Sequence, residues 1–133
     1  MKPVLLDTVG LIALWDDTDQ WYALAAPVFA ALLGAHRDMV TTTSVLLECG
    51  NAAARRTYRN DVDDLRQKML AQQRLIEPTA SDIAQAWTDY RAGYAGNAGI
   101  VDCISFAVMR RLGLTDAFTN DRHFQAAGFT ILF

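Results

Sequence analysis

Short apolar runs alternate with helical stretches along the whole of this chain, and the first run stops at an acid. Pro3 to Leu6 reads as a strand closed by Asp7, and Val9 to Trp15 continues as buried chain turning into a short helix. Gln20 to Leu33 has helical composition, with Asp19 where an N-cap would stand and Gly34 as the stop. Asp38 to Thr42 forms a second strand, and Thr43 or Ser44 caps a helix running to about Arg56. Asp61 to Arg74 is helical, Leu75 to Glu77 is extended, and Ser81 opens a helix to about Tyr90. Gly93, Gly96 and Gly99 mark a flexible connector that lacks the lysine and hydroxyl residue of a phosphate-binding loop. Ile100 to Leu112 is a nearly all-apolar helix and Leu114 to Thr119 a strand. Asp121 starts a short helix through Ala127, Gly128 ends it, and Phe129 to Phe133 is the last strand. Such alternation predicts an α/β fold, a sandwich around a parallel sheet. With 133 residues and no repeat, low-complexity tract or linker, one domain over residues 1–133 is expected.

Charge narrows the partners. A net charge of −3 excludes broad attraction to polyanions, because nonspecific nucleic-acid binding rests on phosphate neutralisation by Lys and Arg. Contact with RNA would have to be local. Arg55, Arg56 and Arg59 form one basic cluster, Arg110 and Arg111 another, and Arg122 lies close to a candidate site; a solvated helix face explains each cluster equally well. Cys49 and Cys103 sit in apolar runs, fit no zinc spacing and point to a reducing compartment. No export signal or membrane span is read at the N-terminus or elsewhere, so a cytoplasmic protein is expected.

Ligands of parallel sheets bind beyond the carboxyl ends of the strands, which singles out Asp7 and Asp121. Each could equally be a helix cap. Ser44, Glu48, Asn51 and Arg55 fall on one polar stripe of a helix, beside an apolar face made by Val45, Cys49, Ala52 and Ala53. Glu48, one of only two glutamates, thus stands at the border of the packed surface and needs a partner if it is buried. Asp102 opens the most apolar helix, where it could complement the helix dipole or face a cleft. Together the four carry more than any one of them. Carboxylates gathered without basic partners repel each other and raise one another's pKa unless a cation intervenes. Oxygen-only ligation with room for water suits magnesium or manganese, which can promote phosphodiester hydrolysis.

The segments Leu5-Leu6-Asp7-Thr8, Ser44-Val45-Leu46-Leu47-Glu48, Val101-Asp102-Cys103-Ile104-Ser105-Phe106 and Phe118-Thr119-Asn120-Asp121-Arg122-His123-Phe124 occur in the order and spacing of a known family. They are similar to the successive motifs of PIN-domain ribonucleases, in particular the VapC toxins of toxin-antitoxin pairs. Where many relatives have a histidine after Asp19, this chain carries Trp21 and Tyr22. The resemblance implies a three-layer PIN-like sandwich, a central parallel sheet flanked by helices, and an Mg2+- or Mn2+-dependent endoribonuclease. It implies an acidic site of Asp7, Glu48, Asp102 and Asp121, with Thr119 and Thr8 as hydroxyl helpers. Asp7 and Asp102 would ligate the metal directly; Glu48 and Asp121 would act through water, giving 5′-phosphate and 3′-hydroxyl products. It also implies an RNA substrate, a VapB-like antitoxin and a homodimer, with Trp21 to Phe29 offering apolar surface for either partner. Asp116 reads as structural and His123 as packing or surface.

Other readings fit less well. A phosphoryl-accepting receiver domain needs a lysine after a late strand, whereas the only lysines are Lys2 and Lys68. A haloacid-dehalogenase phosphatase needs a second aspartate after Asp7 that Thr8-Val9-Gly10-Leu11 lacks. A PIN-like binding module without activity would keep the fold while losing acids, and all four are present.

Overall fold

Val4, Leu5 and Leu6 are buried on both sides, so the first strand can only be central. The computed structural model describes residues 1–133. Its strands are β1 (Val4–Leu6), β2 (Met39–Thr42), β3 (Leu75–Ile76), β4 (Asp116–Phe118) and β5 (Thr130–Ile131). They form one parallel sheet in the order β3-β2-β1-β4-β5. Leu5 is registered against Val40 on one side and Ala117 on the other. The helices are α1 (Thr8–Trp15), α2 (Tyr22–Gly34), α3 (Thr43–Ala52), α4 (Arg59–Ala71), α5 (Ala80–Arg91), α6 (Tyr94–Asn97), α7 (Ile100–Leu112) and α8 (Arg122–Ala126).

Side-chain alternation along the strands divides the core into two layers. Val4, Leu6 and Phe118 pack with residues of α1 to α4, including Leu11, Val45 and Met69. Leu5, Val40 and Ala117 pack with α5, α7 and α8, including Ala86, Phe106 and Phe124. The result is the expected three-layer α/β sandwich. From β1 the chain builds outward to β3 and then crosses back to β4, so its order switches between β1 and β4. There α1 lies against β4: a Cβ on Gly10 would meet the Phe118 carbonyl oxygen at 2.3 Å, so only glycine permits this approach. No helix is long and apolar enough to cross a membrane.

Several local expectations are corrected. Thr42, not Thr43 or Ser44, caps α3 by accepting from the Val45 N–H at 3.0 Å, and α3 ends at Ala52 rather than near Arg56. Helix α2 starts after Trp21, because the Asp19 carboxylate accepts from the Trp21 N–H in a turn instead of capping directly. Helix α4 begins two residues before Asp61 and stops at Ala71. Helix α5 begins at Ala80, set by a reciprocal capping box between Thr79 and Asp82. The glycine-rich connector contains the short turn α6, with left-handed residues inside it. Cys49 and Cys103 are buried free thiols.

Candidate active site

The β1/β4 switch point brings the strand-end residues together. Asp7 follows β1 and occupies the N-cap position of α1 in extended conformation, yet its side chain does not cap the helix. Its Oδ2 accepts instead from the Thr119 hydroxyl at 2.9 Å, just beyond β4. Thr119 Oγ1 in turn accepts from the Asp121 N–H at 3.1 Å, and Asp121 caps α8 by accepting from the His123 N–H at 2.9 Å. One chain of hydrogen bonds therefore ties both strand ends. Behind it, Thr41 donates its hydroxyl to the Leu6 carbonyl at 2.8 Å and pins the end of β1 to β2.

The helices add the other two acids. Glu48, half-buried on α3, and Asp102, half-buried in the first turn of α7, both act electrostatically on Asp7 or on each other. Asp7 is raised from 3.8 to about 7, first by burial and then by the charges of Asp121 and Glu48, against the lowering effect of the Thr119 hydroxyl. Asp102 is raised as well, by burial first and then by the charges of Asp7, Asp121 and Glu48. None of the chain's ion pairs involves these four carboxylates. The thiol of Cys49 beside them is pushed up to about 12, chiefly by burial.

Asp7 and Asp121 are thus joined through Thr119, and Glu48 and Asp102 stand near enough to act on this group by charge. Asp7 Oδ1 and Thr8 Oγ1 are buried there without a hydrogen-bond partner, an arrangement that burial makes costly unless something completes it. No three side chains stand close enough to close on one ion by themselves. The donor set, all oxygen with an orphan carboxylate atom, fits a hard divalent cation that keeps several waters rather than a closed protein cage.

Other candidates fall outside the cluster. Arg55 lies beyond the end of α3 and is exposed, so it does not share a stripe with Glu48; Ala52 is exposed, while Val45, Cys49 and Ala53 form the buried face. Arg56 is bound to Asp16 at 3.0 Å and Arg111 to Asp82 at 2.8 Å, which removes them as free phosphate contacts. Asp116 pairs with Arg37 at 3.2 Å, the structural role expected of it. Unforeseen in the sequence was the His123 ring, whose Nδ1 stands 2.8 Å from the Ala95 carbonyl oxygen. Only the fold brings Ala95 to it.

Comparison with known proteins agrees with this geometry. The PIN-domain family model matches residues 4–130. No curated protein sequence matches the chain significantly. Among solved structures, the fold is similar to that of VapC20 of Mycobacterium tuberculosis, described as a toxin that cleaves the sarcin-ricin loop. That match has a TM-score of 0.81 and 27% identity and covers 96% of each chain. With the family model spanning nearly its whole length, the chain belongs to the PIN-domain family.

Proposed function

We propose that this chain is a divalent-metal-dependent endoribonuclease, the toxin of a toxin-antitoxin pair, acting as one PIN domain over residues 1–133 in the cytoplasm. The observation that carries it is the cluster of buried Asp7 with half-buried Glu48, Asp102 and Asp121, without a basic partner, at the switch point of the sheet. The likeness to VapC20, an RNA-cleaving toxin, supports the substrate class.

In this reading Asp7 and Asp102 would hold the ion, and the Thr119 hydroxyl orients Asp7 through its bond to Oδ2. Magnesium or manganese, when bound, supplies positive charge that lowers the carboxylate pKa values and offsets charge developing on the phosphate. Glu48 and Asp121 orient the attacking water and accept its proton. The water oxygen bonds to phosphorus as the bond to the 3′ oxygen breaks, and that oxygen leaves as a hydroxyl after taking a proton from solvent. The products carry 5′-phosphate and 3′-hydroxyl ends. A VapB-like antitoxin and a second copy of the chain are the partners this reading assigns, with the exposed Trp21, Tyr22 and Leu24 of the α2 region as the surface for one of them.

The test is cleavage of labelled total RNA and of a sarcin-ricin hairpin by the purified chain, with magnesium, with manganese and with chelator, beside Asp102→Asn. Metal-dependent cuts leaving 5′-phosphate, absent in the variant, are expected. Equal cutting by parent and variant, or no cutting of any RNA, would overturn the assignment in favour of contamination or a binding module.

A further inference from the structure

The connector before α7 takes a left-handed backbone that two of its residues, Ala95 and Asn97, disfavour. Gly93 and Gly96 take φ of 68° and 76° freely, but Ala95 and Asn97 take 56° and 61°, where a Cβ crowds the following carbonyl oxygen. Two side chains from elsewhere hold it. On one side Arg110 donates to the Tyr94 hydroxyl at 2.6 Å, with its guanidinium 5.1 Å from the ring centre. On the other, His123 Nδ1 lies 2.8 Å from the Ala95 carbonyl oxygen. A carbonyl only accepts, so Nδ1 carries the proton and donates. The ring rests against Gly96, where an added Cβ would sit 3.5 Å from Nδ1.

His123 has a second attachment. Its backbone N–H donates to Asp121 Oδ1 at 2.9 Å. The connector it grips leads to Gly99, the N-cap of α7, and Asp102 lies in the first turn of that helix. Asp102 lies close enough to Asp121 to feel its charge. His123 therefore touches one of these acids directly and the segment that delivers the other. Partners that hold a ligating or reacting group in place act through geometry, although they never touch the substrate.

We infer that His123 is a positioning residue that sets the spacing of Asp102 and Asp121 by pinning the Ala95 carbonyl. Its catalytic consequence rests on the nuclease reading above; the clamp itself does not. His123→Asn places an amide N–H close to where Nδ1 stands, His123→Gln moves the donor outward, and His123→Leu removes it. Amide hydrogen exchange over residues 94–102 and steady-state kcat and KM on RNA are measured on each full-length variant, with thermal melts to establish folding.

In His123→Leu exchange is expected to quicken and kcat to fall about 10- to 100-fold, with KM unchanged. His123→Asn is expected to restore both. If the Leu variant does not fold, the Gln variant takes its place as the displaced-donor arm. Parent-like exchange and kcat in the donor-deficient variant would overturn the clamp, as would equal losses in the Asn variant. A parent that cuts no RNA while exchange responds as described would refute the nuclease reading and leave the clamp standing.

Discussion

Two aspartates in this molecule expose almost no surface to solvent and are treated in opposite ways. Asp7 is 1% exposed and Asp82 5%. Asp82 accepts from the Thr79 N–H at 2.9 Å, and its oxygens also take the Arg111 Nε at 3.0 Å and Nη2 at 2.8 Å, joining α5 to α7. The Arg111 hydrogen bonds hold its carboxyl below the usual range. Asp7 has one hydroxyl on Oδ2, nothing on Oδ1, and no cation, and burial lifts it to about 7. Burial alone therefore does not mark a functional acid. What separates the two is whether the fold supplies the countercharge.

Neutralising each acid should break the comparison apart. Asp7→Asn is expected to lower RNA cleavage by about a hundredfold or more, because it removes a carboxylate that would hold the ion. Asp82→Asn should leave cleavage close to that of the parent at 25 °C. Single-turnover assays with saturating magnesium check both. Parent-like activity in Asp7→Asn would remove the distinction between the two sites.

Stability should show the reverse order. Asp82→Ala leaves Arg111 without its partner and removes half of the capping box, and loss of the cap alone is expected to cost about 1 kcal/mol. Arg111 is 39% exposed, so solvent screening keeps the ion pair's share below that of a fully buried pair. Urea denaturation measures it. In metal-free protein above pH 7, Asp7→Asn should be as stable as the parent or more so.

The pH dependence sharpens the contrast, because the two shifts have opposite signs. The folded-state pKa of Asp7 is raised, so its stabilising contribution is fully present below about 3.8 and is lost as pH climbs through about 7. The folded-state pKa of Asp82 is lowered, so its contribution is present above 3.8 and is lost as pH falls through the lower value. In chelator, Tm should fall from pH 4 to pH 8 by less in Asp7→Asn than in the parent, and magnesium at pH 8 should recover part of the loss. A parent Tm that rises steadily over this window, parallel to that of the variant, would contradict the raised carboxyl.

The smallest effect concerns the thiol next to the cluster. Burial pushes Cys49 up to about 12, so it stays a protonated, unreactive thiol at neutral pH. Iodoacetamide should leave it unmodified in the native protein at pH 8, as read by mass spectrometry, and modify it on unfolding.

Much of the site was legible because strand ends and helix starts leave a local trace. Asp7 closes a short apolar run, Asp121 follows the strand-like run that ends at Phe118, Asp102 interrupts an apolar helix, and Glu48 breaks the apolar run Val45 to Leu47. The helix ends were less legible. Capping depends on which of several adjacent hydroxyls reaches a free N–H, so Thr42 could not be told from Thr43, nor Thr79 found ahead of Ser81. Ending α3 at Ala52 moved Arg55 off the stripe that helical spacing had suggested.

The order of apolar runs and helical stretches by itself determined the parallel α/β class and the chain positions of the four acids, since periodicity and turn chemistry are properties of neighbouring residues. Only the tertiary structure decided that Thr119 would bond Asp7 across the β1/β4 switch, that Asp82 would receive Arg111 while Asp7 received no cation, and that His123 would hold Ala95. Each of those links joins residues from different elements. Their distances are set by how helices seat on a sheet, at points such as Gly10 against Phe118, and no local pattern along the chain encodes them.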